Sequence, residues 1–350
     1  MGNPTYTRRE FLQLGIGSMA ALLSPPFLPD DAAALQKWMK QQAIALPDAD
    51  PPPATLGRII SWYQQAVRRE PALKAPLITW KSHDSVIPLY SAVVGEAPWP
   101  TNSVWYQTDE GFIHSGFVQP VEDNRQIEVI PEVSKPGFWV EVSVPYAESR
   151  QQPASRYVLR RLYYQTVYRV IAATQDKEAG EWWYQLQDGI TWSPGPYVPA
   201  WSVRRIPPEE IAPISPGHPD KWIQINIPGQ MLTCFEGEQP VFSTPVASGT
   251  YKTPTPLGEF RIIRKRHTRR MVGEDYDLAG VPFPTYFTRS GVAIHGTYWH
   301  NDYGRRYSHG CLNVASRAAM WVFRWAEPQA PYEDETVEAA ANTGTRVVVS

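Results

Sequence analysis

The chain has 350 residues, including 35 Pro, 14 Trp, 18 Tyr, 11 Phe and only 2 Cys. Proline at twice its usual ~5% share, beside 43% hydrophobic residues, excludes a disordered or low-complexity chain and disfavours a helical bundle. With 33 Lys+Arg against 35 Asp+Glu the net charge is −2, which gives no electrostatic drive toward nucleic acid, and two cysteines exclude a disulfide-dense scaffold. At roughly 100–200 residues per domain, the length predicts two or three units.

At the N-terminus, Thr7-Arg8-Arg9-Glu10-Phe11-Leu12 precedes a weakly apolar run, Leu14 to Leu23, and then Ser24-Pro25-Pro26. Paired arginines in that setting resemble a twin-arginine export signal, and the run is well short of the ~20 residues that span a bilayer. Ala32-Ala33-Ala34 offers a cleavage site, and no cysteine follows to take a lipid. Residues 1–34 are therefore expected to be a signal peptide. The implied location is extracytoplasmic, in the periplasm or cell wall, with no transmembrane helix in the mature form. From Asp48 to Ala54 the Pro-rich sequence reads as a stiff linker. Next, Leu56, Ile59, Ile60, Tyr63 and Val67 have helical spacing closed by Pro71, so 35–76 is expected to be linker plus one short helix.

Two stretches then look alike: Trp105-Tyr106-Gln107-Thr108-Asp109-Glu110-Gly111-Phe112 and Trp183-Tyr184-Gln185-Leu186-Gln187-Asp188-Gly189-Ile190. Each reads as an aromatic strand, an acidic-Gly turn and an apolar strand, with Phe117-Val118 and Tyr197-Val198 leading out. Residues 77–206 are expected to be all-β, and the repeat resembles tandem bacterial SH3-like barrels. Its aromatics are expected in the barrel cores; an exposed ladder would suit glycan or peptide. Pro207-Pro208 and Pro213 to Gly217 mark a boundary.

Beyond it, Trp222–Ile227, Gln230–Phe235 and Pro240–Val246 alternate like strands, with Pro228-Gly229 and Glu236-Gly237 as turns. A rigid Thr253-Pro254-Thr255-Pro256 loop leads to a strand at Phe260–Arg264, followed by an irregular stretch holding Met271 and Tyr276. Then come Gly291-Val292-Ala293-Ile294-His295-Gly296 and Ser308-His309-Gly310-Cys311-Leu312-Asn313. A free thiol with pKa near ~8.5 needs a base to act at neutral pH. His295, at the end of an apolar strand, is the candidate base for Cys311. Ala318, Met320, Trp321, Phe323 and Trp325 give 315–325 a helical spacing. A thiol at a loop-to-helix junction there would gain from the helix N-terminus and from backbone N–H groups able to form an oxyanion hole.

These residues carry a resemblance: 221–350 resembles the YkuD-type L,D-transpeptidase catalytic domain, whose signature is a His, a spacer, and Ser/Thr-His-Gly-Cys-x-Asn/Arg. The fold implied is mostly β, SH3-like barrel repeats followed by a β-sandwich catalytic domain with one or two short helices. The resemblance implies Cys311 as acylated nucleophile, His295 as base and the Gly296 carbonyl as third member, with His309 and Gly310 shaping the loop or oxyanion hole. It places Ser308, Asn313, Trp299, Tyr286 and Met271 in substrate contact. The implied activity is exported peptidoglycan cross-linking of the 3→3 type on tetrapeptide stems, with release of D-Ala. An L,D-carboxypeptidase and a non-catalytic wall-binding protein are the alternatives.

No cofactor is expected. A zinc site from His295, His300, His309 and Cys311 has gaps unlike the usual paired ligand spacings, so no metal is expected either. Peptidoglycan stem peptides are the expected partner, with glycan or anionic wall polymers a further class, and no nucleic acid. Arg261, Arg264, Lys265, Arg266, Arg269 and Arg270 form a basic run read as a solvated face or a contact for such polymers. Cys234 reads as strand packing, and His83, His114, His218 and His267 as single structural or surface residues.

Overall fold

A computed structural model describes residues 5–6 and 56–350, apart from 100, 154 and 192. The export-signal and linker expectations thus lie outside the described residues. Among the described residues no helix is long and apolar enough to cross a membrane.

Where a helix was expected over 55–70 there are two strands, β1 (Leu56–Ile59) and β2 (Gln65–Arg68). The apolar spacing belongs to two short segments whose Ile59 and Val67 enter one small core with Ile87, Ile113 and Val118. β-Branched residues gain ladder partners there that a lone helix would not supply. The first β unit therefore begins at 56, and continues through β3 (Leu77–Lys81), β4 (Val86–Pro88), β5 (Ser91–Trp99), β6 (Asn102–Gln107), β7 (Phe112–His114) and β8 (Val118–Val121). The second unit holds β9 (Phe138–Val142), β10 (Tyr146–Arg150), β11 (Val158–Tyr163), β12 (Val167–Gln175), β13 (Trp182–Gln187), β14 (Pro194–Pro199) and β15 (Val203–Arg205).

The two units share a plan. A hairpin (β5–β6, β12–β13) is followed by one more antiparallel strand (β7, β14) and a turn of 3-10 helix at Ser115–Phe117 or Ala200–Ser202. A short last strand, β8 or β15, then returns to pair antiparallel with the unit's first strand, β1 or β9. Tyr197-Val198 lies inside β14, so the counterpart of Phe117-Val118 is Ser202-Val203. Trp105 and Trp183 are buried, which makes the repeated aromatics core.

The C-terminal part comprises β16 (Lys221–Asn226), β17 (Met231–Glu236), β18 (Gln239–Pro245), β19 (Gly258–Arg261), β20 (Arg264–Arg266), β21 (Thr268–Val272), β22 (Asp277–Pro282), β23 (Thr285–Tyr286), β24 (Ala293–Thr297), β25 (Leu312–Ala315), α1 (Ser316–Trp325), β26 (Thr336–Glu338) and β27 (Arg346–Val349). One five-stranded sheet runs β18-β17-β16-β27-β19 and another β25-β24-β23-β20-β26. The stretch expected to be irregular is the hairpin β21–β22, its turn closed by Gly273 N–H donating to the Tyr276 carbonyl at 2.9 Å.

Helix α1 forms where the periodicity placed it and buries Ala319, Val322, Phe323 and Trp325. Its carbonyl end is met by two buried ammonium groups: Lys221 Nζ donates to Trp325 O at 2.8 Å and Lys265 Nζ to Ala326 O at 2.7 Å. Cations belong at that end of a helix dipole. Burial nevertheless pulls Lys265 down to about 7, with Glu327 opposing.

One core joins both sheets and α1 through Ile223, Leu232, Phe242, Ile294, Leu312 and Val314, and extends to Trp139, Val167 and Ile206 of the second unit. Trp139 Nε1 donates to the Tyr332 carbonyl at 2.6 Å, and its ring stacks on His267 at 4.6 Å. Cys234 is fully buried within this core and free.

Candidate active site

Strands β24 and β25 run parallel, with His295 opposite Asn313 and Ile294 opposite Leu312. Cys311, one residue before β25, is thereby carried beside the start of β24. Its Sγ lies 3.8 Å from the Gly291 carbonyl, and the Ala293 backbone N–H favours its thiolate. Burial outweighs that bond and pushes the thiol up. The expectation of a helix N-terminus next to Cys311 fails, because β25 intervenes and α1 starts only at Ser316. The β-branched and apolar run Leu312–Val314 finds ladder partners in β24 before the helix can begin.

His295 is buried, and its Nδ1 lies 3.0 Å from the Gly296 carbonyl. A carbonyl can only accept, so Nδ1 carries the proton and Nε2 keeps its lone pair. Burial lowers His295 to about 4, with the Gly296 bond opposing. The pair is thus an uncharged thiol and an uncharged imidazole. Gly296 itself permits close packing: a Cβ there would stand 2.6 Å from Pro282 Cγ and 2.8 Å from Ser316 Cα.

The turn that presents Cys311 is tied from within. Ser308 Oγ donates to the Cys311 carbonyl and accepts from Gly310 N–H, the latter at 3.1 Å. Both roles of that hydroxyl are used in shaping the turn, and the Gly310 N–H is occupied as well. Gly310 adopts φ +118°, a region that favours glycine. The Thr253-Pro254-Thr255 loop supports it from below: Thr255 Oγ1 donates to Gly310 O at 2.9 Å and accepts from Gly249 N–H at 2.9 Å, while Thr253 Oγ1 donates to Ser308 O at 3.2 Å.

His309 points outward, its Nε2 3.3 Å from Asp275 and its ring 5.2 Å from Tyr276. It holds the β21–β22 turn and not the thiol. Trp299, half-buried, stands 5.9 Å from His295 ring to ring. Asn313 is buried, with its amide 2.9 Å from His300 Nε2. Since His300 Nδ1 accepts from Asp302 N–H at 3.2 Å, Nε2 holds the proton, and the Asn313 amide, whose nitrogen stands at 2.9 Å, pairs with it once turned so that its oxygen accepts. Both His300 nitrogens are therefore occupied, and burial lowers this ring to about 3. Among the described residues no group of three His, Cys, Asp or Glu is placed to hold a metal ion.

Tyr286 is buried under the Arg264 guanidinium, 4.4 Å from its ring; burial raises its hydroxyl, and a thiolate at Cys311 would raise it further. Met271 lies on β21 opposite Leu278. Sequence reasoning did not place Tyr276 or Asp275 at the site. Burial raises Tyr276, and a thiolate at Cys311 would raise it further; a Gly-acidic-acidic turn inside a β-branched stretch is the signal that could have revealed the hairpin carrying both.

Much of the basic run is engaged by groups of the protein itself, although Arg261 stays exposed. Lys265 is buried, Arg269 donates to the Gly189 and Ile190 carbonyls, Arg270 pairs with Asp277 and Asp188, and Arg261 donates to the Gly344 carbonyl. The reading as a solvated face fails for Lys265, which is buried, and holds for Arg261, which is exposed.

Residues 220–349 match the model of the YkuD family, the L,D-transpeptidase catalytic domain. YkuD of Bacillus licheniformis is 29% identical over 101 residues, 28% of this chain and 55% of that protein. The chain thus spans about half the length of the curated relative it matches. Among solved structures, an Enterococcus faecium L,D-transpeptidase is 24% identical with a TM-score of 0.30, covering 37% of this chain and 50% of that one. An L,D-transpeptidase from Mycobacterium smegmatis is 17% identical with a TM-score of 0.31, covering 58% and 99%.

Proposed function

With residues 220–349 a YkuD-type L,D-transpeptidase catalytic domain, we propose that the protein is an exported peptidoglycan L,D-transpeptidase acting through Cys311 and His295. The observation that carries this reading is the His295 Nδ1 bond to the Gly296 carbonyl, which leaves Nε2 free as the base on the strand paired with the one Cys311 begins.

The reaction follows from an uncharged pair. As Cys311 Sγ attacks the carbonyl of the L-centre of the third stem residue, its proton passes to His295 Nε2. The tetrahedral intermediate collapses, the C–N bond to D-Ala breaks, and the imidazolium protonates the leaving amine. The side-chain amine of a neighbouring stem then attacks the thioester, loses a proton to His295 and returns Cys311 as thiol, forming a 3→3 cross-link. Because both partners start neutral, proton transfer and attack are coupled, and the buried site spares the cost of a standing ion pair.

The two N-terminal units, 56–121 and 138–205, are proposed as SH3-like barrels. Their shared order of hairpin, strand, 3-10 turn and closing strand supports this. Export through the twin-arginine-like segment and work in the periplasm or wall complete the reading. Intact-mass analysis after incubation with a carbapenem tests it: one adduct on Cys311, absent in Cys311→Ala and lost or strongly slowed in His295→Ala, is expected. No adduct and no turnover of tetrapeptide stems would overturn it.

A further inference from the structure

We propose that Arg58 and Asp84 of the first β unit form a buried clamp that positions the loop following His295, making the N-terminal units part of the catalytic apparatus. This rests on the reading of His295 and Cys311 as the reacting pair.

Arg58 lies on β1 and is 1% exposed. Its Nη1 donates to Asp84 Oδ1 at 2.8 Å, its Nε and Nη2 to Gln119 Oε1 at 3.3 and 2.8 Å, and Nη2 also to the Tyr298 carbonyl at 2.6 Å. The guanidinium sits 4.0 Å from the centre of the Tyr163 ring, which stacks on Tyr298 at 5.2 Å. Asp84 Oδ2 accepts from Arg161 Nη1 at 2.8 Å and from Tyr163 Oη at 3.3 Å. One cation and one carboxylate therefore join the first unit, the second unit and the residue three places after His295. Taking a guanidinium out of water is costly unless its N–H groups find acceptors, so a partner set this complete is a built feature.

The clamp reaches the base through the chain. Tyr298 directly continues β24, and Trp299 beside it packs edge-on to Tyr298 at 5.0 Å and 5.9 Å from His295. A second tether holds the same loop, with Asn301 Nδ2 donating to the Ser115 and Val118 carbonyls at 3.4 and 3.1 Å. Both anchors lie on the first unit. Holding the loop keeps Trp299 over the imidazole and water away from it. The titratable group that interacts electrostatically with His295 is His300 on this loop, while Tyr286 on β23 pairs with Ala293 and Cys311 precedes Leu312, the partner of Ile294, so both lie on the flanking strands. Loosening the loop exposes the imidazole and returns its basicity toward that of a free histidine.

The test is iodoacetamide alkylation of Cys311 in the full chain, followed by intact mass across pH. Cys234 is fully buried and silent. Arg58→Met and Asn301→Ala are each expected to slow alkylation about threefold or more and to raise the pH of its acid-side half-point by about half a unit or more, toward the ~6.5 of free imidazole. Arg58→Lys keeps the charge opposite Asp84 and rescues the melting temperature, but it lacks the fork to reach Tyr298 and is expected to keep the shifted profile. Should Arg58→Met not fold, Asn301→Ala and Arg58→Lys carry the test. Profiles of these variants superimposing on wild type would overturn the clamp alone. Wild-type alkylation rates in His295→Ala would overturn the reacting pair and the clamp with it.

Discussion

The role proposed for His295 rests on two features of opposite effect, burial that removes its charge and a carbonyl that fixes which nitrogen holds the proton. With its basicity lowered to about 4, the ring stays neutral, and so able to accept a proton, throughout the range where a free imidazole near 6.5 would protonate. The sign of the pH dependence follows. A base acts only unprotonated, so activity is lost as pH falls through the folded-state value. Single-turnover acylation of Cys311 should hold most of its rate at pH 5 and decline only toward pH 4. A midpoint at 6 or above, measured by quenched-flow mass spectrometry, would show that water reaches the ring. Cys311 adds to this picture, because burial pushes its thiol up, away from a resting thiolate. The activation therefore belongs to the moment of attack.

At the scale of elements, the parallel pairing of β24 with β25 sets the proposed base and thiol on neighbouring strands, and Gly296 is where β24 meets its neighbours. A side chain there would strike Pro282 and the backbone of Ser316 at the start of α1. Gly296→Ala should lower stability by about 1–3 kcal/mol, as overpacking does, read as a reduced denaturant midpoint with unchanged slope. It should also slow acylation, since the displaced carbonyl is the one that orients His295. A variant of wild-type stability and rate would mean that the strand shifts freely, contrary to its packing. The hairpin β21–β22 shows the same dependence on neighbours: Arg269 and Arg270 tie it to the turn after β13 through Gly189, Ile190 and Asp188.

For the molecule as a whole, four described histidines are buried with lowered basicity, His114 in the first unit and three along the seams. His267 stacks on Trp139 of the second unit and burial lowers it to about 3; His300, also about 3, lies on the loop after His295; His295, the proposed base, is lowered to about 4. Each binds its proton more weakly folded than unfolded, so the unfolded state gains protons first as pH falls. Their stabilising contribution is complete above the unfolded value of 6.5 and is lost progressively from there toward pH 4 and below. Because one core runs from Trp139 through α1 to Phe242, the second unit and the catalytic part should unfold together. Thermal melts are expected to show these two in one transition whose midpoint drops steeply below pH 6. Two separate transitions, or a flat midpoint from pH 7 to 4, would contradict this.

Local chemistry sufficed for part of this. A thiol flanked by His309-Gly310, a histidine ending an apolar strand and a periodic run from Ala318 to Trp325 are each complete within a few residues, so the proposed pair could be named from the chain, and the helix and the buried Cys234 could be read from it. The repeated Trp-Tyr-Gln hairpin was legible for the same reason. The spacing at 56–67 misled, because a short strand pair and a helical turn produce the same pattern until ladder partners as distant as Val118–Val121 choose between them. The basic run misled because only the fold brings Gly189, Asp188 and Asp277 to its arginines. Arg58 and Asp84 carry no local signal at all. Their meaning exists only where three units meet, since a buried charge is defined by what excludes water from it, and here that comes from residues as distant in sequence as Tyr163 and Tyr298. The sequence by itself determined which atoms can react; the tertiary structure decided their protonation and what holds them, because both depend on burial.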